Sequence, residues 1–219
     1  MKGKLGNVVI FGDSYSTYEG YIPEGYAVYY ENNGNVAEGG VSRVENTWWH
    51  RLISRAESRL VHNNSWSGST VCFTGYYRSY CYDSSFVTRA KKYVADGRCC
   101  GEKIDTFLIF GGTNDCWAGS PVGELKAVGV EASEEDLKAF LPAFCELLRY
   151  LKESCPGAAV INVTNTELTD EITGGMAEAC REYGVQNIVL QEIEKQNGHP
   201  NETGMAQIAE QIFDRLAER

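Results

Sequence analysis

The alternation of short apolar runs with longer stretches of helical spacing constrains this chain most. Residues 5–11 (LGNVVIF) are apolar and rich in β-branched side chains, and the run stops abruptly at Gly12-Asp13-Ser14. Residues 103–112 (KIDTFLIFGG), again ending in glycine, and 158–164 (AAVINVT) read as further strands, and 59–63 (RLVHN) and 185–190 (VQNIVL) as short ones. Continuous apolar runs of this length mark strands covered on both faces. Between them lie helical patterns. Residues 46–60 space Trp49, Leu52, Ile53, Ala56 and Leu60 along one face, with Asn46 as the expected N-cap. From Ser133, which with Asp136 resembles a capping box, Leu137, Phe140, Leu141, Phe144, Leu147, Leu148 and Leu151 keep a three-and-four rhythm. Pro142 is expected to kink that helix and Pro156-Gly157 to end it. Two more helices are expected over 169–183 and 201–216. Strands alternating with helices need parallel crossovers. The expected fold is therefore α/β, a three-layer α/β/α sandwich on a mainly parallel five-stranded sheet.

With 219 residues, one domain over 1–219 is the expectation. Two stretches break the alternation and read as Tyr-rich loop insertions, near 15–45 and 74–83. Hydrophobic residues at 43% and charged residues at 23% argue against disorder. The net charge of −10, with no Lys/Arg block, speaks against nucleic acid and anionic membranes as partners. No segment is long enough to span a bilayer. The 8 cysteines show no CxxC or Cys/His spacing suited to zinc, and a chain of this size needs no disulfide framework. No metal or organic cofactor is expected. The apolar run 8–11 is too short for a signal peptide, so a cytoplasmic protein with reduced thiols is the expectation. Oligomeric state is not legible.

Ligands of a parallel sheet collect at the carboxyl ends of its strands. Three such ends carry polar, glycine-containing segments: Gly12-Asp13-Ser14, residues 63–70 (NNSWSGST) and residues 111–115 (GGTND). A fourth, His199 in NGHPNETG, precedes the last helix. Acyl transfer needs these parts. A serine requires a base, most often histidine, and the tetrahedral intermediate requires N–H donors aimed at its oxyanion.

In this order the four blocks resemble those of the SGNH (GDSL-type) hydrolases, a family of serine esterases and lipases, from Phe11 to the last helix. The resemblance implies a flavodoxin-like sandwich, with the nucleophile at Ser14 (FGDSYS) and the catalytic histidine at His199 (GHPNETGM). It also implies an oxyanion hole made by Ser14, Gly68 (NNSWSGST) and Asn114 (GGTND). One position departs. The family's aspartate three residues before the histidine is Gln196 here, which can hydrogen-bond an imidazole but carries no charge. Either Ser14 and His199 act as a dyad, or another group stands in: Glu194 first, then Glu192 or a backbone carbonyl. Loss of activity is the third alternative. The expected substrate is a small-molecule, short-chain ester; the aromatic, uncharged loops and the acidic net charge put an acetyl ester on a carbohydrate before a lysophospholipid or thioester. The competing reading is a non-catalytic glycan-binding module.

Other residues near these blocks are expected to serve the frame. Asp13, Asp115 and Asn63 read as loop braces, Thr113 and Ser67 as supports beside the site, and Trp66 and Trp117 as pocket walls. His50, His62, Trp48 and Trp49 read as structural, and Cys116 as a packed thiol.

Overall fold

The computed structural model describes residues 3–31 and 40–218 of the chain. Part of the first Tyr-rich stretch, 32–39, lies outside the described residues. Five strands form one parallel sheet: β1 (Asn7–Gly12), β2 (Arg59–Ser65), β3 (Thr106–Phe110), β4 (Ala159–Thr164) and β5 (Gln186–Val189), in the order β2-β1-β3-β4-β5. The order reverses between β1 and β3, so the crevice for a ligand opens at the carboxyl ends of those two strands. Ser14 follows β1 and Asn114 follows β3.

Among the described residues seven α-helices accompany the sheet: α1 (Trp48–Arg55), α2 (Phe86–Ala95), α3 (Arg98–Gly101), α4 (Thr113–Ala118), α5 (Phe140–Ser154), α6 (Asp170–Glu182) and α7 (Glu202–Ala217). A small antiparallel ribbon, β6 (Lys195–Gln196) with β7 (His199–Pro200), precedes α7. Alternate residues of each strand feed two cores. Val9, Phe11, Phe107 and Ile109 meet Phe86, Phe140, Phe144 and Met176 from α2, α5 and α6. Val8, Ile10, Leu108 and Phe110 meet Trp48, Leu52, Met205 and Ile208 from α1 and α7. Each fully buried aliphatic or aromatic side chain contributes about 1.5–3 kcal/mol relative to exposure, so both sheet faces need their helices. Among the described residues no helix is long and apolar enough to cross a membrane.

The structure corrects several local expectations. The α1 cap is Thr47, whose Oγ1 accepts from the His50 N–H at 3.4 Å. Asn46 sits one residue earlier, donating to Glu202 and accepting from Arg51. The helix stops at Arg55 because the chain must turn, through Glu57 at φ 47, to enter β2; Leu60 is therefore a strand residue. The Ser133–Asp136 box forms, with Asp136 Oδ2 accepting the Ser133 N–H and Ser133 Oγ accepting the Asp136 N–H. However, it closes the 3-10 turn Asp136–Lys138, and α5 begins only at Phe140. Pro142 then falls in the first turn of α5, where an N–H has no helical partner, and the helix runs on to Ser154. Helix α2 occupies a stretch with no sequence assignment. Its signal was local: Ser85 caps the Thr88 N–H, and Phe86, Val87, Ala90 and Tyr93 share a buried face.

Candidate active site

Strand β1 ends where only glycine fits. A Cβ on Gly12 would lie 2.5 Å from the Ser16 side chain and 2.6 Å from Ser65 Oγ. The chain then folds into a single 3-10 turn, Ser14–Ser16, capped by Asp13, whose Oδ1 accepts the Tyr15 N–H at 3.0 Å. Asn63 at the end of β2 braces this turn, donating to the Ser16 carbonyl at 2.8 Å and accepting from Ser65 Oγ at 2.6 Å. From below, Trp48 Nε1 donates to Ser16 Oγ. Ser14 Oγ is thereby held 2.9 Å from His199 Nε2, across 185 residues of sequence. Burial pushes the Asp13 carboxyl up to about 7.

The loop after β2 is tied to the same point by Trp66 N–H donating to the Gly12 carbonyl at 3.1 Å. Within it Gly68 adopts φ 78, a left-handed conformation that glycine takes at no steric cost. Among the described residues the Gly68 and Ser14 N–H groups donate to no protein acceptor. Asn114, in the first turn of α4, donates from Nδ2 to the Ser69 carbonyl at 3.0 Å, and its Oδ1 accepts the Tyr76 hydroxyl at 2.8 Å. One Nδ2 hydrogen stays open beside the Gly68 segment. Asp115 accepts the Val71 and Cys72 N–H groups at 2.8 and 3.1 Å, and burial raises its carboxyl to about 6.

Beneath these loops lies Arg89 of α2, 1% exposed. Its guanidinium donates to the carbonyls of Ser84, Asn64 and Gly12, to Asn64 Oδ1 and to Ser69 Oγ, so one side chain bolts α2, β1, β2 and the Gly68 loop together.

His199 comes from the other side, on the β6–β7 ribbon. The turn between the two strands, Asn197-Gly198, has positive φ at both residues and brings the Asn197 carbonyl to 3.2 Å from His199 Nδ1. A carbonyl only accepts, so Nδ1 carries the proton and Nε2 is free to accept from Ser14. The ribbon is pinned by phenols: Tyr15 Oη donates to the Gly198 carbonyl at 2.5 Å, and Tyr30 Oη to the Pro200 carbonyl at 2.8 Å. The Tyr29 ring lies flat on the imidazole, centroids 3.6 Å apart and planes 10° apart, while Tyr15 and Trp117 stand at 5.3 and 5.7 Å. Burial holds His199 below its ordinary value. The Asn197 carbonyl works against that shift, and the Lys195 ammonium adds to it.

The acid expected at Glu194 is corrected. Glu194 is exposed, and its Oε1 accepts from Asn201 Nδ2 at 2.6 Å. Gln196 is also exposed, across the ribbon from His199, with Oε1 turned toward Gly40. Neither bonds the imidazole; the ribbon turn gives that place to a main-chain carbonyl. Among the described residues no group of three or more His, Cys, Asp or Glu side chains is placed to hold a metal ion.

The sequence model of the GDSL-like lipase/acylhydrolase family matches residues 6–216. The chain belongs to this family. It is 38% identical to a protein from Bacteroides ovatus assigned as a GDSL-like lipase, over 99% of this chain and 100% of that one, with a TM-score of 0.89. A Bacteroides uniformis protein assigned the same way is 42% identical over 98% and 96% of the two chains, with a TM-score of 0.87. An acetyl xylan esterase from Butyrivibrio proteoclasticus shares the fold at 16% identity and a TM-score of 0.64, over 98% of this chain and 64% of its own. Among curated proteins none matches the chain.

In this GDSL-like hydrolase, Ser14 and His199 meet, and the Gly68 and Asn114 segments are tied together beside them. Trp117, 44% exposed, stands next to His199; Trp66 is half-buried and stacks on Tyr26 at 4.1 Å. Thr113 Oγ1 accepts from Asn165, and the Ser67 N–H donates to the Ala27 carbonyl. His62 stacks on Tyr93, held by burial at about 4, and Cys116 is a free thiol. Three residues escaped the sequence reading: Arg89, Tyr76 and Tyr29. Only Arg89 left a trace, a lone cation on the apolar face of α2.

Proposed function

We propose that this hydrolase cleaves short-chain carboxylic esters, an acetyl ester on a carbohydrate first among them. Ser14 is the nucleophile and His199 the base of a dyad. The 2.9 Å Ser14 Oγ–His199 Nε2 contact carries the reading. Ser14 Oγ attacks the ester carbonyl carbon while His199 Nε2 takes its proton. The tetrahedral oxyanion is met by the Ser14 and Gly68 N–H groups and the open Nδ2 hydrogen of Asn114. Collapse breaks the bond to the alcohol, which leaves with the proton from Nε2, and the acyl group stays on Ser14. A water gives a proton to Nε2, attacks the acyl carbon and frees the acid, and the proton returns to Ser14 Oγ. Replacing a triad acid costs a serine protease about 10⁴ in kcat when the wrong tautomer results. Here the Asn197 carbonyl fixes the productive tautomer, so only the charge is missing.

Exposed Trp117 beside His199 and the Trp66–Tyr26 stack offer flat apolar faces of the kind a sugar ring covers. The net charge of −10 disfavours anionic esters. The acetyl xylan esterase on the same fold supports the acetyl-carbohydrate choice by analogy alone.

Hydrolysis of p-nitrophenyl acetate, butyrate and octanoate and of acetylated xylo-oligosaccharides by wild type and Ser14→Ala tests the reading. The expected result is turnover that needs Ser14, falls from acetate to octanoate and includes the oligosaccharide. Undiminished turnover in Ser14→Ala overturns it. A preference for octanoate moves the substrate to lipids. Glycan binding without fluorophosphonate labelling of Ser14 makes the chain a binding module.

A further inference from the structure

We propose that the Tyr29 ring stands in for the missing carboxylate: it fixes the plane of the His199 imidazole and stabilises the imidazolium formed when Ser14 gives up its proton. This rests on the dyad reading above.

The geometry is specific. A centroid separation of 3.6 Å with planes 10° apart puts the whole face of the phenol ring against the imidazole. The ring face carries the negative part of the aromatic quadrupole, which attracts a cation and gains little from a neutral partner. The attraction therefore grows as the proton moves from Ser14 Oγ to His199 Nε2, and an interaction stronger in the transition state than in the ground state raises kcat. Partial burial of the pair strengthens it, because water does not compete for the charge.

Tyr29 is also registered to the nucleophile. Its N–H donates to Thr17 Oγ1 at 2.9 Å, and that hydroxyl donates to the Ser14 carbonyl at 3.0 Å. One threonine thus connects the stacking residue to the nucleophile turn. With Nδ1 on the Asn197 carbonyl and a ring against its face, the imidazole cannot swing away from Ser14 without breaking both contacts.

Among the described residues no carboxylate bonds the imidazole. The Asn197 carbonyl is neutral. Glu194 is engaged by Asn201 and Gln196 is uncharged. From β6 the charged neighbour is Lys195, a cation paired with Glu167 at 2.8 Å and lying 5.7 Å over the Tyr15 ring. Asp13, beside Ser14, accepts the Tyr15 N–H. Tyr15 of the nucleophile turn and Trp117 of α4 also face the imidazole. Tyr29 is a positioning residue in this account, acting on substrate only through His199.

The test replaces Tyr29 with phenylalanine and then with di-, tri- and pentafluorophenylalanine, which drain the ring face stepwise while keeping its shape. His199 is titrated by NMR in each folded protein; with three histidines in the chain its signals are assignable through His199→Gln. The expected result is a His199 pKa that falls stepwise, by about one unit from phenylalanine to pentafluorophenylalanine. On p-nitrophenyl acetate, kcat should drop roughly tenfold over the series with KM unchanged, and the acid limb should move to lower pH. A pKa and a kcat that stay flat across the series overturn the proposal. The titration needs no turnover, so it reads Tyr29 even where Ser14→Ala and fluorophosphonate labelling dispose of the dyad.

Discussion

The two halves of the candidate site are held by different physics. The nucleophile half, with Ser14, the Gly68 loop and Asn114, sits on strand and helix ends tied by buried ionic and main-chain bonds: Asp13 to Tyr15 N–H, Asp115 to Val71 and Cys72, and Arg89 to five acceptors. The base half is a two-residue-by-two-residue ribbon held by phenols and ring faces, with no carboxylate on the imidazole among the described residues. Buried polar networks tolerate little displacement, because any partner left unpaired costs about 1–3 kcal/mol. Aromatic contacts are softer and less directional. The proposed oxyanion donors are fixed by the interior, whereas the proposed base is fixed by a rim that other loops must reach.

The largest effect should come from breaking the nucleophile half. Arg89→Leu removes the guanidinium bonds to the Ser84, Asn64 and Gly12 carbonyls, to Asn64 Oδ1 and to Ser69 Oγ, of which the Gly12 carbonyl keeps the Trp66 N–H. It should cost on the order of 3 kcal/mol or more, lowering Tm by roughly 10 °C in a thermal melt. A loss under about 1 kcal/mol would mean the interior is not what fixes this half.

The base half should respond in rate rather than stability. Tyr15→Phe removes the bond to the Gly198 carbonyl and should lower kcat about fivefold to tenfold with Tm changed by only a few degrees. Equal kcat would show that the Tyr30 contact and the Tyr29 stack suffice to hold the ribbon.

The pH profile sharpens the same contrast. Burial holds His199 below the ordinary 6.5, and catalysis needs it neutral, so kcat/KM should be lost only as pH falls through a value below 6.5. Burial raises Asp13 to about 7, so its contribution to stability is present below pH 3.8 and lost as pH rises through about 7. The melting temperature of Asp13→Asn should therefore gain on wild type as pH is raised from 4 to 8. An acid limb above 6.5 would point to a carboxylate acting on His199 after all.

The smallest effects fall on the positions from which the sequence reading sought an acid. Glu194→Gln and Gln196→Ala should each change kcat less than about twofold, since neither side chain touches the imidazole. A tenfold fall in either would put that residue back in the site.

The strand centres were legible because a run buried on both faces is mostly apolar, as β1, β3 and β4 are, with Asn162 of β4 the buried exception that bonds Asn187. Their ends were less so, because pairing sets them: β2 runs on to Ser65 since Gly12 of β1 pairs with it. The Ser133–Asp136 box was real but local chemistry alone could not say what it capped. Ser14, Gly68, Asn114 and His199 stood out because each lies in a short polar block whose order along the chain matches the family's.

The parallel α/β sheet, the glycine-bounded turns at its carboxyl edge and the residues gathered there follow from residue types and their spacing. What supports His199 follows only from the folded chain. The Asn197 carbonyl belongs to the backbone and has no residue signature, so no motif could record it. The Tyr29 stack joins positions 170 residues apart, and a tyrosine in a Tyr-rich loop looks the same whether it packs, binds or lies on an imidazole. A side chain that acts by its own chemistry leaves its identity in the sequence; one that acts by where a neighbour is placed is fixed only when the chain folds.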